Sequence, residues 1–335
     1  KRTRRLLAVC LAAAVLIMTS FPNYSLDLQG HRGARGLMPE NTLPAFAHAL
    51  SLGVTTLELD CAITKDGVVV VSHDSVLNPD VTRGPDGTWL EKEGPPIWHL
   101  TYEELRRYDV GRIKPGSAYA TRFPKQQAVD GTRIPRLVDL FALVRKAGNE
   151  TVRFNIETKI SPRFPAGTTT PGDFAHRLIT VVRQEGMAQR VTIQSFDWRT
   201  LQVVQKDAPE IPTVYLSSQQ SAMDNILANQ PESPWTAGLH IRNFGGSIPR
   251  MVKAAGGAVW SPHHGEVTPA NVKEAQSLRL KVVVWTVNSA TDMRRMIELG
   301  VDGIISDYPD LLRKVAAGKS VALPPATPLV HERSR

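Results

Sequence analysis

Glu58 and Asp60 stand two residues apart in VTTLELD (54–60), and Glu157 and Lys159 repeat that spacing in RFNIETK (153–159). On a β-strand, residues i and i+2 share a face about 6–7 Å apart along the chain, so each pair turns two charged groups to one side. LDLQGH (26–31) ends in His31, with Arg32 next. Lys65-Asp66-Gly67 reads as a tight hairpin turn, and the run VVVVS that returns from it carries His73 and Asp74 back toward the same place. If these strand ends converge, they assemble Glu58, Asp60 and Glu157 beside Arg32, Lys159, His31 and His73.

Three clustered carboxylates repel one another unless something neutralises them. A divalent cation does so, and an all-oxygen donor set selects Ca²⁺ or Mg²⁺ over zinc. With such an ion the charges total about +1, which suits a singly charged phosphodiester; without it they total about −1 and repel one. Two imidazoles beside that centre suit proton transfer in both directions, one accepting from the nucleophile and one donating to the leaving alkoxide. Arg32, Lys159 and the cation would offset charge building on the phosphoryl oxygens.

Such convergence requires strands that end on a common face. Strand-like runs fall at 26–31, 54–60, 152–158, 190–195, 211–216, 236–241, 257–260, 281–287 and 302–306. Helical stretches separate most of them, including 41–52, 136–147, 173–186, 268–278, 290–299 and 308–317. Alternation of this kind predicts a parallel sheet with helices outside, and about eight such units predict a (β/α)8 TIM barrel over residues 26–318. Nine strand-like runs are one more than that barrel takes. Residues 75–135 break the rhythm and are dense in proline and glycine up to residue 96, which predicts a small subdomain inserted after the second strand. Asn41 or Thr42 is placed to cap the first helix, and Asp307 in ISDYP to cap the last.

The ends of the chain differ from its middle. Lys1, Arg2, Arg4 and Arg5 precede an apolar run from Leu6 to Met18, the pattern of a secretory signal over residues 1–25. The run is short of the roughly 20 residues of a membrane span, so an exported protein, periplasmic or secreted and without a stable membrane span after cleavage, is the expectation; an uncleaved anchor is the alternative. The formal net charge of +8 owes four positive charges to residues 1–5. No later Lys/Arg cluster interleaves with aromatics, which argues against a nucleic-acid partner. Cys10 and Cys61 are too few for a disulfide scaffold or a cysteine-rich zinc module. Residues 319–335, with Pro324, Pro325 and Pro328, read as a disordered tail. Nothing in the pattern specifies an oligomeric state.

Other residues invite plainer readings. Lys159 could simply pair with Glu157. His263-His264 lacks any carboxylate nearby except Glu266 and so makes a poor second metal site. His48, His176 and His240 read as structural. Arg112, Lys114 and Arg122 read as a solvated loop rather than an anion-binding cluster.

At its chemical residues the chain resembles the glycerophosphodiester phosphodiesterase family. The matching blocks are HRGARGLMPENT (31–42), ELDCAITKDGVVVVSHD (58–74), NIETK (155–159), QSFDW (194–198), KVVVWTVN (281–288) and GVDGIISDYPD (300–310). The resemblance implies metal-dependent hydrolysis of small-molecule glycerophosphodiesters to sn-glycerol 3-phosphate and an alcohol on a barrel fold. It implies His31 and His73 as the acid/base pair, and Glu58, Asp60 and Glu157 as metal ligands. Arg32 and Lys159 would contact phosphate, and Trp285 would flank the glycerol end. The insertion at 75–135 falls where the family carries its own subdomain over the barrel mouth. Exported members typically use Ca²⁺, so Ca²⁺ is favoured over Mg²⁺. Two competing readings are a lysophospholipase D-like activity on lipids and a catalytically silent barrel that binds phosphodiesters.

Overall fold

The computed structural model describes residues 24–328. The strands in chain order are β1 (Asp27–Gly30), β2 (Thr56–Ile63), β3 (Val69–Val71), β4 (Arg153–Thr158), β5 (Val191–Ser195) and β6 (Thr213–Ser217). After the short arms β7 (Gln219–Gln220) and β8 (Met223–Asp224) come β9 (Val259–Pro262), β10 (Lys281–Val284) and β11 (Gly303–Ser306). The helices are α1 (Leu43–Leu52), α2 (Tyr102–Leu105), α3 (Ala118–Arg122), α4 (Leu137–Lys146) and α5 (Pro171–Gln184). They continue with α6 (Trp198–Asp207), α7 (Ile248–Ala254), α8 (Pro269–Ser277), α9 (Ala290–Glu298) and α10 (Pro309–Gly318).

Parallel pairing runs β1-β11-β10-β9-β6-β5-β4-β2, and β1 also pairs β2, so eight strands close into a (β/α)8 TIM barrel. Apolar helix faces cover the strands; α5, for example, buries Phe174, Ala175, Leu178, Ile179 and Val182. Local chemistry sets the helix ends. Thr42 caps α1 by accepting from Ala45 N, Pro44 follows, and Gly53 ends the helix at φ 84°.

The run 236–241 is not a strand. Ala237 and Gly238 both take positive φ (53° and 83°), and Leu239 N bonds back to Thr236 O. That turn breaks an extended run, and β6 pairs directly with β9. β2 also extends past Asp60, because Cys61–Ile63 pairs antiparallel with β3. Residues 319–328, expected to be disordered, are held against the barrel. Thr327 N donates to Leu50 O at 2.9 Å, Asn149 Nδ2 to Thr327 Oγ1 at 2.8 Å and Arg313 Nη1 to Pro324 O at 2.9 Å. Two of these contacts run through Thr327, whose partners lie far away in the chain, and one through the Pro324 carbonyl, so composition does not reveal them. Residues 329–335 of that expected tail lie outside the described residues. The leader expected over residues 1–25 falls almost wholly outside the described residues. Among those described, no helix is long and apolar enough to cross a membrane.

The segment between β3 and α4 carries α2 and α3 and its own small apolar cluster. Leu77, Ile97, Leu105 and Ile134 pack there on Ala62 and Val70 of the β2–β3 hairpin.

The turn after β1 is tight. Gly33 adopts φ +84°, and a Cβ there would lie 2.8 Å from the Ala45 carbonyl carbon and 2.9 Å from Phe46 N. Gly33→Ala is expected to destabilise the protein by about 1–3 kcal/mol in urea unfolding. Gly116→Ala, at φ +78° with nothing within 4 Å, is expected to cost about 1 kcal/mol or less.

Candidate active site

Register brings the acidic residues together. β2 and β4 are parallel with Glu58 opposite Asn155 and Asp60 opposite Glu157, so all three carboxylates project into one end of the barrel. One ligand oxygen from each of Glu58, Asp60 and Glu157 lies within 4.8 Å of the others, and all three residues are buried. They form the one such metal-ligating group found among the described residues.

Each carboxylate is fixed by a different partner. Glu58 Oε1 accepts from Gln194 Nε2 at 2.6 Å and Oε2 from the Arg32 backbone N–H at 2.9 Å. Asp60 Oδ2 accepts from Asn41 Nδ2 at 2.9 Å and lies 3.3 Å from Arg32 Nε. Glu157 Oε1 accepts from Lys159 Nζ at 2.8 Å, and Lys159 Nζ stands 3.9 Å from Asp60 Oδ1. Lys159 therefore pairs with Glu157, as its spacing allowed, while lining the cleft.

Electrostatics separates the three acids. Burial, then the charge of Asp60, pushes Glu58 well above the usual carboxylate range. Burial pushes Glu157 up to about 7, against the pull of Lys159 and with help from Asp60. Burial alone would raise Asp60 too, but His73, Arg32, Lys159 and His31 together hold it below the ordinary value. The donor set therefore fits a hard divalent cation: three converging oxygens, two of whose carboxyls are pushed toward their neutral forms for want of positive charge. Arg32 Nε is buried with no hydrogen-bond partner, a further sign of a polar centre not closed by protein alone.

Two imidazoles flank this centre. His31 Nδ1 meets Asp307 Oδ1 at 2.6 Å, and its Nε2 lies 3.9 Å from Glu58 Oε2. His73 Nδ1 meets Asp74 Oδ1 at 2.7 Å, and Asp74 Oδ2 accepts from Asn78 Nδ2 at 2.8 Å. In both rings a carboxylate fixes Nδ1 and so orients Nε2. Burial lowers His31 to about 4 despite Asp307, and burial with Arg32 and Lys159 nearby lowers His73, so His31 is neutral at pH 7.

Asp307 corrects an expectation. It does not cap α10, whose N-cap residue is Tyr308. It binds His31, accepts from Arg35 through Nε at 2.7 Å and Nη2 at 3.0 Å, and accepts from Asn288 Nδ2 at 2.7 Å. Arg32 is also more engaged than its sequence position indicated. Its Nη1 donates to Glu40 Oε1 at 2.6 Å, and Glu40 in turn accepts from the Tyr119 hydroxyl of α3. That contact ties the inserted segment to the barrel mouth. Arg35, Glu40 and Asn41 lie within the block 31–42 but carried no assigned site role; Tyr119 sits in an insertion without a recognisable pattern.

Trp285 forms a wall, its Nε1 donating to Ser261 O at 2.9 Å and its ring meeting Phe196 edge to face at 5.3 Å. His263 packs on Trp285 at 5.3 Å and belongs to no metal-ligating group of three among the described residues. His176 pairs with Asp207 at 2.8 Å and His240 caps a short turn through Arg242 N. Arg112 pairs with Asp130 at 2.6 Å, whereas Arg122 lines the cleft beside Tyr119 and Phe123.

The sequence pattern of the Glycerophosphoryl diester phosphodiesterase family matches residues 31–311. A glycerophosphodiester phosphodiesterase of Caldanaerobacter subterraneus subsp. tengcongensis is 31% identical over 282 residues, covering 84% of this chain and 94% of that protein. A solved structure from Silicibacter pomeroyi, a candidate glycerophosphoryl diester phosphodiesterase, is 35% identical with TM-score 0.79 and covers 90% of this chain and 96% of its own. A phosphodiesterase of Oleispira antarctica, solved with the product sn-glycerol-3-phosphate, shares the fold at 21% identity and TM-score 0.63, covering 89% of this chain and 97% of its own.

The raised Glu157 makes cation binding pH-dependent. Its unfolded carboxyl titrates near 4.5 and its folded one near 7, so in the cation-free chain the protonated form adds stability below pH 4.5 that is lost as pH rises through 7. A divalent cation must displace that proton. The thermal shift given by Ca²⁺ is therefore expected to be near zero at pH 5 and to grow to several degrees above pH 7, read by scanning calorimetry.

Proposed function

The chain belongs to the glycerophosphoryl diester phosphodiesterase family, and from that premise we propose that it hydrolyses glycerophosphodiesters to sn-glycerol 3-phosphate and an alcohol by divalent-cation-assisted His/His acid–base catalysis. The observation that carries this reading is the convergence of Glu58, Asp60 and Glu157 within 4.8 Å, with His31 and His73 each oriented by its own carboxylate.

Glu58, Asp60 and Glu157 would hold the cation, and Ca²⁺ is the ion we favour, with Mg²⁺ the alternative. When bound, it supplies Lewis-acid polarisation of a phosphoryl oxygen and cancels the repulsion among its ligands. Lys159 and Arg32 stand beside the phosphodiester and offset charge that develops on its oxygens. Asp307 and Asp74 hold the Nδ1 protons of the two imidazoles, leaving Nε2 of each to exchange a proton with substrate. One imidazole, neutral, takes at Nε2 the proton of the attacking oxygen, whether of water or of the substrate's own neighbouring hydroxyl. The other, entering the step as an imidazolium, gives its Nε2 proton to the departing alkoxide; where the hydroxyl attacks first, water then opens the cyclic phosphate to sn-glycerol 3-phosphate. Trp285 bounds the glycerol end. The relatives named for this activity support the reading, as does the product bound by the Oleispira enzyme, which shares this fold.

The test is turnover of glycerophosphocholine by the purified chain, followed by a coupled assay for glycerol 3-phosphate. Chelator is expected to abolish product and added Ca²⁺ to restore it. His31→Ala and His73→Ala are each expected to slow turnover by about 10²–10⁴-fold. Turnover that persists in chelator overturns the cation's role; undiminished turnover in both variants overturns the proton transfers.

A further inference from the structure

Two clefts of about 750 Å³ each open from the barrel mouth and share a wall made of His73, Glu157, Lys159, Phe196 and Trp285. A diester centred on that wall extends one substituent into each. The clefts differ in charge. The first sets Arg32, Arg35, Arg122 and Lys159 against Glu58, Asp74, Glu157 and Asp307, whereas the second has Lys159 alone against its carboxylates. The second carries Asp80 and Glu93, for neither of which an ion pair exists among the described residues.

The second cleft also holds an unusual pair of polar atoms. Trp235 is only 5% exposed and Thr168 9%, and both line this cleft. Trp235 Nε1 and Thr168 Oγ1 have no hydrogen-bond partner. Buried donors left unpaired are rare in native proteins, because the desolvation cost stays uncompensated. Phe164, 49% exposed, stands at the rim, with the Phe196 and Trp285 rings deeper in.

We propose that this second cleft is the subsite for the leaving alcohol and that it is built for a neutral polyol. The inference rests on the phosphodiesterase reading and specifies its substrate class. A polyol satisfies all three features of the wall at once. Trp235 Nε1 and Thr168 Oγ1 are closed to solvent here, so the lining opens for its hydroxyl oxygens to accept from them, while its hydroxyl protons go to Asp80 and Glu93 and its C–H faces lie on the aromatic rings. A quaternary ammonium alcohol answers the carboxylates but, once esterified, offers no hydroxyl to the two orphaned donors. An acyl chain answers neither the donors nor the carboxylates.

The experiment compares kcat/KM of the full chain with Ca²⁺ on glycerophosphoinositol and on glycerophosphocholine. The wild type is expected to favour the inositol diester by about tenfold. Thr168→Val and Trp235→Phe, which remove the donors while keeping most of the volume, are each expected to lower that ratio about fivefold. Circular dichroism checks that Trp235→Phe folds, and Thr168→Val carries the test if it does not. A ratio near one, or a ratio unmoved by the variants, overturns the subsite. A choline preference abolished by Glu93→Gln also overturns it, in favour of a cationic alcohol. Failure to cleave either diester would instead count against the phosphodiesterase reading itself.

Discussion

Three carboxylates held within a few ångströms of one another in the low-dielectric mouth of a barrel set the terms for everything around them. Such a cluster is stable only if protons, cations or oriented dipoles answer each charge. The protein uses all three. Asp60 is kept ionised by Arg32, Lys159 and the Asn41 amide, while Glu58 and Glu157 are pushed toward their neutral forms. The result is a centre whose charge state is open to a divalent ion.

The barrel supports that centre from below. Gln194, which holds Glu58, is also the partner of Asn155, and Asn155 bonds to Gln29 of β1. A ladder of buried amides thus crosses the barrel interior from β5 through β4 to β1, while Val214, Val259, Val283 and Ile305 fill the other side. The amides cost desolvation but are paired with one another, and they fix the rotamer of Glu58 from beneath the mouth. Above the mouth, Tyr119 and Glu40 do the same for Arg32. The site is therefore clamped on both sides.

Much of this was legible in the residues. The i, i+2 pairs Glu58/Asp60 and Glu157/Lys159 read correctly, because strand geometry leaves little choice about which face they share. Eight of the nine strand-like runs form the barrel; the ninth, at 236–241, failed because an Ala-Gly pair in left-handed conformation makes a turn that β-branched composition does not reveal. Asp307 was misassigned for a related reason. A carboxylate one residue before a helix start is a sound local capping signal, but the residue it meets, His31, lies 276 positions away. Tyr119, Trp235 and Thr168 carry no local signal, since what matters about them is the cleft that other segments build. Local patterns specify which side chains share a strand face, whereas long-range register decides which of them touch.

The central claim is that Glu58, Asp60 and Glu157 bind one divalent cation together. Calorimetric titration of the cation-stripped chain with Ca²⁺ at pH 8, wild type beside Asp60→Asn and Glu157→Gln, tests it most directly. The account predicts one ion per chain in the wild type and a loss of at least about 100-fold in affinity from either substitution. Equal affinity and stoichiometry in all three proteins would contradict it.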